Sequence, residues 1–350
     1  FASTNTMLYE NYEACNNYPV ILDFKIATEC NLECIMCSEY SSSAIRKTCN
    51  SPAAEAVEFG HEFIRQVSEI IPFLKEARFS GGEPFLNNIY FVIWDLIVSK
   101  NPECKISVQT NGTILNQKIK TLLESGNFHI NVSVDSANPK VYPLIRRNGD
   151  FSKLTKNLKY FADYSEHRNI QLGITSCNMK DNTFELPGIL NLANSLNAKL
   201  WYSDVYFPLV NALWVMNSSQ LDNIAEFLEN VKIESNAEIA NHNHIVYTDT
   251  ISRIKNFAAQ AKRREDKSEF VSAAKLKNDL KNILKENISS DPELWERIEQ
   301  LLDSFGNCKM IDLANEIKKY YKADFVYNQL GLMNEDELRR NFDCLKFVIL

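Results

Sequence analysis

The sequence has no apolar run long enough to cross a membrane. Its longest apolar stretches, such as Phe91–Val98, are far shorter than the roughly 20 residues that a membrane-spanning helix needs. It also lacks the positively charged and then apolar leader that directs secretion. The sequence therefore predicts a cytoplasmic protein with no membrane partner.

The sequence has fewer positive than negative residues, and it lacks several common functional motifs. Lys and Arg number 38 against 45 Asp and Glu, which gives a net charge of −7. A protein held to DNA by bulk charge would carry the opposite excess, so no DNA partner is expected. The sequence has no Gly-x-Gly-x-x-Gly, no phosphate-binding loop, no His-Glu-x-x-His and no Gly-x-Ser-x-Gly, so nucleotide-loop and hydrolase functions have no support.

Cysteine is sparse and odd in number, with nine in 350 residues. A secreted scaffold held by disulfides would have a denser, paired set, so free thiols in a reducing compartment are favoured. Six cysteines are scattered and are expected to be small buried side chains: Cys15, Cys49, Cys104, Cys177, Cys308 and Cys344. The other three, Cys30, Cys34 and Cys37, form a Cys-x3-Cys-x2-Cys motif and need another explanation.

Short β-rich runs alternate with helical patterns from residue 20 to about residue 210. Strands are expected at Val20–Thr28, Glu76–Phe79, Lys105–Thr110, His129–Val134, Ile170–Thr175 and Lys199–Tyr206. Helices are expected between them at Ala54–Ile71, Ile89–Lys100, Gln117–Glu124, Phe151–Ser165 and Phe184–Leu196. Parallel strands need a crossover connection, so this alternation predicts an α/β fold with a parallel sheet. Six units are too few for a closed eight-stranded barrel, so we expect a partial (β/α)6 barrel with functional loops at the carboxyl ends of its strands.

The pattern divides the chain into four parts. Residues 1–19 are a lead-in, residues 20–210 the partial barrel, and residues 211–340 a helical region whose role the sequence does not give. Its helices are expected at Leu221–Val231, Ile251–Lys262, Phe270–Glu286, Leu294–Phe305 and Ile311–Tyr321. Residues 341–350 form an apolar, strand-like run with no turn after it, which suggests that the sequence is cut there.

The three clustered cysteines lie within eight residues and share one loop after the first strand. A structural zinc site usually takes its remaining ligands from a second Cys or His pair downstream. No such pair appears, since His61 is isolated and His242 and His244 follow the sixth strand. Three thiols without a fourth suit a four-iron, four-sulfur cluster with one iron open to an external ligand. Three buried cysteines, or two of them on an incidental zinc ion, are the alternative.

The segment Cys30–Cys37 resembles the cluster motif of the radical S-adenosylmethionine (radical SAM) enzymes, with Met36 where that family has an aliphatic or aromatic residue. The resemblance implies a [4Fe–4S] cluster on the three cysteines, with S-adenosylmethionine bound to the open iron. It also implies reductive cleavage of that cofactor to a 5′-deoxyadenosyl radical, which abstracts hydrogen from a substrate. The electron would come from a flavodoxin-like or ferredoxin-like donor.

Later strand ends resemble the same family. Ser80–Pro84 is similar to its GGEP segment, Gln109–Gly112 to its T-N-G segment, and Tyr142–Arg146 to its Y-x-x-I-R stretch. The resemblance implies that S-adenosylmethionine is contacted by Met36, Gly81, Gly82, Glu83, Pro84, Thr110, Asn111, Ser133, Arg146 and Met179. In that interpretation Glu83 holds the amino group, Arg146 the carboxylate and Met179 the adenine.

Two neighbouring residues are expected to play lesser parts. Asp135 is expected to cap its loop more often than to contact the cofactor directly, and Arg147 is expected to face solvent. The Val132–Asp135 and Tyr142–Arg146 segments resemble the branch that carries a cysteine-rich SPASM or twitch extension, and Cys344 would open that extension here.

The branch resemblance implies a peptide or protein substrate, with dehydrogenation or modification of a small molecule or sugar as the alternative. A protein of another class, a non-catalytic scaffold around an iron–sulfur or zinc site, is the rival hypothesis. A structural site would not need Glu83, Ser133 and Arg146 on three different strand ends, so the enzyme is favoured.

Overall fold

The computed structural model describes residues 18–38, 41–48, 59–206, 208–233 and 238–266, together with Glu296, which is helical. Most of the lead-in, the first residues of the helix expected from Ala54, and the helices expected after residue 266 lie outside these described residues, apart from Glu296. The apolar run 341–350 and Cys15, Cys49, Cys308 and Cys344 also lie outside them.

Six strands of the described chain form one parallel sheet. They are β1 (Ile21–Phe24), β3 (Glu76–Phe79), β4 (Lys105–Thr110), β5 (Phe128–Ser133), β7 (Gly173–Asn178) and β8 (Lys199–Asp204). They pair in the order β1-β3-β4-β5-β7-β8, and every neighbouring pair is parallel. The sheet is open between β1 and β8, so the α/β partial barrel is confirmed.

Two short strands form a separate antiparallel pair. They are β2 (Glu33–Cys34) and β6 (Arg146–Arg147). The pair joins the cysteine motif to the segment after β5. It could not be predicted, because a strand of two residues has no periodicity in the sequence.

Helices of the described chain connect the strands and continue after β8. They are α1 (Ser43–Thr48), α2 (His61–Ile70), α3 (Asn88–Lys100), α4 (Gln117–Ser125), α5 (Tyr142–Ile145), α6 (Phe151–His167), α7 (Leu186–Ser195), α8 (Ser218–Asn230) and α9 (Glu238–Asp266). Side chains cap several of them, since Asn116 accepts a hydrogen bond from the Ile119 N–H at 3.0 Å, and Asp150 accepts from the Ser152 N–H at 2.9 Å. Such caps satisfy amide groups that the first helical turn leaves unpaired.

Alternation along the strands separates a buried face from a polar face. On β4, Ile106, Val108 and Thr110 are buried, whereas the residues between them are partly exposed. The buried face packs on helices such as α3, whose Trp94 is fully buried and lies edge-on to Phe79, with a ring-centroid distance of 5.3 Å. Burying a large apolar side chain contributes about 2 kcal/mol, so this face holds the sheet to its helices.

The opposite face of the sheet is lined by polar side chains that bind one another. The Gln109 amide nitrogen donates to Ser133 Oγ at 2.6 Å, and Thr175 Oγ1 donates to Asn131 Oδ1 at 3.0 Å. Since successive residues of a strand point to opposite faces, this polar surface belongs to the concave side of the partial barrel.

Several boundaries differ from the sequence prediction by a few residues, and three of the differences have a cause in the structure. Strand β1 ends at Phe24, because the following residues run against the glycines at 81 and 82. Strand β7 begins at Gly173 instead of Ile170, because residues 168–170 turn back on helix α6, with Asn169 at a φ of 53°. Helix α9 begins at Glu238, thirteen residues before the expected start at Ile251.

The early start of α9 has a tertiary cause. Asn, His and Thr are frequent in its first half, and they are weak helix formers. Asn243 is fully buried there, accepting a hydrogen bond from the Leu200 N–H at 2.8 Å and donating to the Ala198 carbonyl at 2.9 Å. The contact fixes α9 along strand β8.

No helix among the described residues has both the length and the apolar character needed to cross a membrane.

Candidate metal centre and cofactor site

The three cysteines of the motif lie in one ordered loop between β1 and α1. Leu32 is almost completely buried, and its carbonyl accepts a hydrogen bond from Ser42 Oγ at 2.9 Å. The Cys30 N–H donates to Ser43 Oγ at 3.1 Å, and the Cys37 N–H donates to the Cys34 carbonyl at 2.9 Å. The loop is therefore anchored at Leu32 and Cys30, and a turn holds Cys37 close to Cys34.

None of the three thiols forms a disulfide. Burial raises the pKa of Cys34 to about 12, although the nearby charge of Arg146 opposes the rise. Burial also raises the pKa of Cys30 and of Cys37. In the metal-free chain the thiols are therefore protonated at neutral pH, and metal binding must release their protons.

The arrangement of these thiols bears on which metal group they fit. Within the described ranges, no three His, Cys, Asp or Glu side chains are placed as ligands of a single metal ion. An iron–sulfur cluster instead distributes its thiolate ligands over several iron atoms, and thiolates are the ligands that such clusters take. The three thiols of this loop fit a [4Fe–4S] cluster with one iron lacking a protein ligand.

The glycines of the segment after β3 lie against the chain that leads into the cysteine loop. Gly81 and Gly82 have φ values of 87° and 53°, a region that favours glycine. A Cβ on Gly81 would lie 2.7 Å from the Ala27 carbonyl oxygen, and one on Gly82 would overlap the Glu29 carbonyl oxygen. The Glu83 N–H donates to that same Glu29 carbonyl at 2.7 Å. The two segments need glycine because their backbones touch.

Glu83 is fully buried and ties together the ends of β3 and β4. Its carboxylate accepts hydrogen bonds from Thr110 Oγ1 at 2.7 Å, from the Asn111 N–H at 2.7 Å and from the Phe85 N–H at 3.2 Å. Burial raises the pKa of Glu83, and these hydrogen bonds oppose the rise. Asn111 in turn donates from its side chain to Asn31 Oδ1 at 2.9 Å, so the connection continues into the cysteine loop.

Arg146 lies beside the middle cysteine of the motif. Its Nη1 atom is 3.8 Å from Cys34 Sγ, and its Nε atom is 2.7 Å from Asp135 Oδ2. The contact with Asp135 is an ion pair without hydrogen-bond geometry. Asp135 also accepts a hydrogen bond from the Cys177 N–H at 2.7 Å. Asp135 therefore binds to β7 and to Arg146, whereas the sequence suggested a cap of its own loop.

An apolar group lies next to this pair. Met179 is fully buried with Ile145 and Val205, and the partly buried Met36 and Cys177 pack against them. Asn182 holds this end of β7, since its side-chain nitrogen donates to the carbonyls of Asp135 at 2.9 Å and Cys177 at 2.8 Å. Arg147, the neighbour of Arg146, is exposed as expected.

The structure thus connects most of the residues that the sequence singled out. One hydrogen-bonded group contains Glu83, Thr110 and Asn111. A second contact joins Arg146 to Cys34. An apolar cluster contains Met36 and Met179. Ser133 is linked to β4 through Gln109. Sequence reasoning missed Asn31 and the pairing of Asp135 with Arg146. The partner of Asn31 is 80 residues away, and no sequence pattern indicates the ion pair of Asp135.

Comparison with known proteins agrees with this geometry. Residues 24–183 match the family model of the Radical SAM superfamily. These residues, slightly less than half of the chain, are similar to a radical SAM domain. The matched range includes all three cysteines, and the family uses a [4Fe–4S] cluster and S-adenosylmethionine.

Several curated relatives of the chain are named GTP 3′,8-cyclase. One from Limosilactobacillus fermentum is 24% identical over 230 residues, and a probable one from Methanocaldococcus jannaschii is 27% identical over 212 residues. The matches cover 65% and 58% of this chain and 66% and 64% of the relatives. The chain therefore spans slightly less than two thirds of the length of these relatives.

Solved structures with a similar chain path include anSMEcpe with bound AdoMet. It is 19% identical with a TM-score of 0.46, and the match covers 67% of this chain and 61% of the other. Streptococcus suis SuiB bound to S-adenosylmethionine is 14% identical with a TM-score of 0.44, covering 61% of this chain and 47% of SuiB.

Proposed function

We propose that this chain is a radical SAM enzyme that cleaves S-adenosylmethionine reductively and abstracts hydrogen from a substrate on the concave face of its sheet. The observation that carries the proposal is the loop of three free thiols, hydrogen-bonded through Asn31 to Asn111, which follows β4. When bound, the reduced cluster and S-adenosylmethionine would supply a 5′-deoxyadenosyl radical for the hydrogen abstraction.

The chain's own residues would hold and orient the cofactor. Gly81 and Gly82 bring backbone carbonyl and amide groups to the edge of the site, while Pro84 fixes the turn that follows. Glu83 has carboxylate lone pairs beyond its three hydrogen bonds and would receive the cationic amino group. Thr110 and Asn111 keep that carboxylate in place.

Other expected contacts lie on neighbouring strand ends. Ser133 carries a hydroxyl on β5 that would bind a polar group of the cofactor. Met36 and Met179 belong to one apolar cluster, which would exclude water beside the adenine. Arg146 is implied by resemblance to meet the methionine carboxylate, although in the structure its guanidinium already pairs with Asp135.

The substrate is proposed in order of support. A peptide or protein is the first candidate, on the sequence resemblance to the branch with a SPASM or twitch extension. A purine nucleotide is the second candidate, because the curated relatives are named GTP 3′,8-cyclase. The flavodoxin-like or ferredoxin-like donor and the cytoplasmic location stay predictions.

Product formation under anaerobic conditions tests the proposal. The chain reconstituted with iron and sulfide, then given dithionite and S-adenosylmethionine, should release 5′-deoxyadenosine and methionine. Cys34→Ala should abolish both the cluster absorbance and the product. Cys104→Ala is the matched control, because it removes a buried thiol outside the loop and should retain both. An assembled cluster that forms no product would favour the scaffold hypothesis.

A second measurement separates the two substrate classes. Under the same conditions, GTP should accelerate 5′-deoxyadenosine formation only if a purine nucleotide is the substrate. A precursor peptide encoded beside this gene should do so if the peptide hypothesis is correct, and mass spectrometry of that peptide should then show a changed mass.

A further inference from the structure

The backbone fixes Arg146 opposite one cysteine of the motif. In the β2–β6 pair Cys34 is the direct partner of Arg146, and the Ile35 N–H donates to the Ile145 carbonyl at 3.0 Å. The guanidinium Nη1 atom then lies 3.8 Å from Cys34 Sγ. Because backbone pairing joins the two segments, the position of the Arg146 guanidinium relative to Cys34 Sγ is set by the main chain.

The cation is buried and held from the other side. Arg146 is 7% exposed and Asp135 is fully buried, with 2.7 Å between Nε and Oδ2. A buried charge without a partner is costly, so Asp135 explains why the guanidinium can lie inside the protein. Asp135 is itself fixed by the Cys177 N–H at 2.7 Å. A continuous series of contacts therefore runs from β7 through Asp135 and Arg146 to Cys34.

We propose that Arg146 is a positioning residue for the cluster, which raises the reduction potential through the Cys34 sulfur, and that Asp135 sets its place and moderates its charge. The proposal rests on the proposed function only in requiring that the three cysteines bind an iron–sulfur cluster. Potentials of such clusters depend on net charge, on hydrogen bonds to the sulfurs and on exposure to solvent. A cation beside a ligand sulfur stabilises the reduced cluster, because that state carries one more negative charge.

This role differs from a clamp for the methionine carboxylate. A clamp acts only when S-adenosylmethionine is present, whereas an effect through Cys34 exists in its absence. The reduction potential of the cluster without S-adenosylmethionine therefore distinguishes the two roles. Affinity for S-adenosylmethionine, measured separately, reports the clamp.

The test compares three substitutions in the reconstituted full chain, with midpoint potentials from redox titrations followed by electron paramagnetic resonance and without S-adenosylmethionine. Arg146→Met should lower the potential, so that the reduced-to-oxidised ratio at a fixed potential falls about tenfold, or ~59 mV for a one-electron couple. Asp135→Asn should raise the potential, because it removes the compensating charge yet can still accept from the Cys177 N–H. Arg146→Lys keeps the charge and should recover part of the loss.

Arg147→Met is the matched control. It removes the same charge from the adjacent residue, which is exposed and screened by solvent, so the potential should change by less than about threefold in that ratio. An Arg146→Met potential equal to the wild-type value, with weakened S-adenosylmethionine binding, would overturn the proposal in favour of the clamp. Should Arg146→Met assemble no cluster, Asp135→Asn decides, and an unchanged or lowered potential would overturn the proposal.

The outcome is separable from that of the proposed function. Shifted potentials without any 5′-deoxyadenosine would refute the enzyme proposal and keep this one. Formation of 5′-deoxyadenosine with unshifted potentials would support the enzyme proposal and refute the role of Arg146 in setting the potential.

Discussion

The carboxylate of Glu83 accepts a hydrogen bond from the main-chain nitrogen of Asn111 at 2.7 Å, which joins the segment after β3 to the end of β4. Thr110 and Phe85 donate to the same carboxylate. Glu83 therefore supports the structure of the site as well as being an expected ligand, since its hydrogen bonds hold two loops together.

Replacing Glu83 with alanine should destabilise the chain before it affects chemistry. The change leaves three donors unsatisfied in a fully buried place, and each costs about 1–3 kcal/mol. We expect a loss of roughly 3 kcal/mol or more in the free energy of unfolding, measured by urea denaturation of the iron-free chain. Glu69→Gln, which alters an exposed ion pair with Arg65, is the control and should change stability by less than about 0.5 kcal/mol. A similarly small effect of Glu83→Ala would show that these bonds do not hold the loops.

Gly82→Ala should disturb the cysteine loop from outside it. A Cβ at this position overlaps the Glu29 carbonyl oxygen, and the φ of 53° is itself unfavourable for alanine. We expect a loss of about 2 kcal/mol in stability and a smaller iron content after reconstitution, measured by chemical iron analysis.

Gly188→Ala is the control for this substitution. Gly188 lies in helix α7, and the nearest atom to an added Cβ there is the Ala137 Cβ at 3.6 Å. Alanine favours a helix over glycine by about 1 kcal/mol, so iron content should be unchanged and stability equal or higher. Equal iron content in both variants would contradict the close contact inferred between the two segments.

The fold and the ligand loop could be predicted from the sequence, because they depend on local patterns. Apolar alternation located the strands, and the Cys-x3-Cys-x2-Cys spacing identified the loop. The pairing of Arg146 with Cys34 could not be predicted, because 112 residues separate them and a two-residue strand pair has no sequence pattern. The predicted start of α9 was wrong for a related reason, since the buried side chain of Asn243 stabilises a stretch of weak helix formers.

Asn243→Ala should loosen helix α9 from strand β8. It removes the acceptor of the Leu200 N–H and the donor to the Ala198 carbonyl, both inside the protein. We expect a stability loss of roughly 2–4 kcal/mol and faster hydrogen exchange of the Leu200 amide. The exposed neighbour His244 provides the control, since His244→Ala should leave that exchange rate unchanged. Slow exchange in both variants would place the support of β8 elsewhere.

His129 should make the chain less stable in mild acid. Burial, with a smaller contribution from the charge of Lys105, lowers the pKa of His129 to about 4, and the charge of Glu76 opposes this. The unfolded chain binds this proton near its ordinary pKa of about 6.5, so the unfolded state holds more protons as the pH falls. The stability contributed by neutral His129 is therefore complete above about pH 6.5 and is lost towards pH 4.

Thermal melts at pH 7 and pH 5 check this dependence. His129→Gln should show a smaller fall in Tm between the two pH values than the unmodified chain. His61→Gln, at the exposed start of α2, should fall as much as the unmodified chain does. An identical fall in the His129 variant would mean that another group carries the acid sensitivity.

We propose that three thiols of one loop hold a cluster whose open iron binds S-adenosylmethionine. Electron paramagnetic resonance of the dithionite-reduced, reconstituted chain tests it directly, with spectra recorded before and after S-adenosylmethionine is added. We expect the signal of a reduced [4Fe–4S] cluster whose g values change on addition, and no such signal in Cys34→Ala. A cluster signal that S-adenosylmethionine leaves unchanged would show that the cofactor does not bind the open iron.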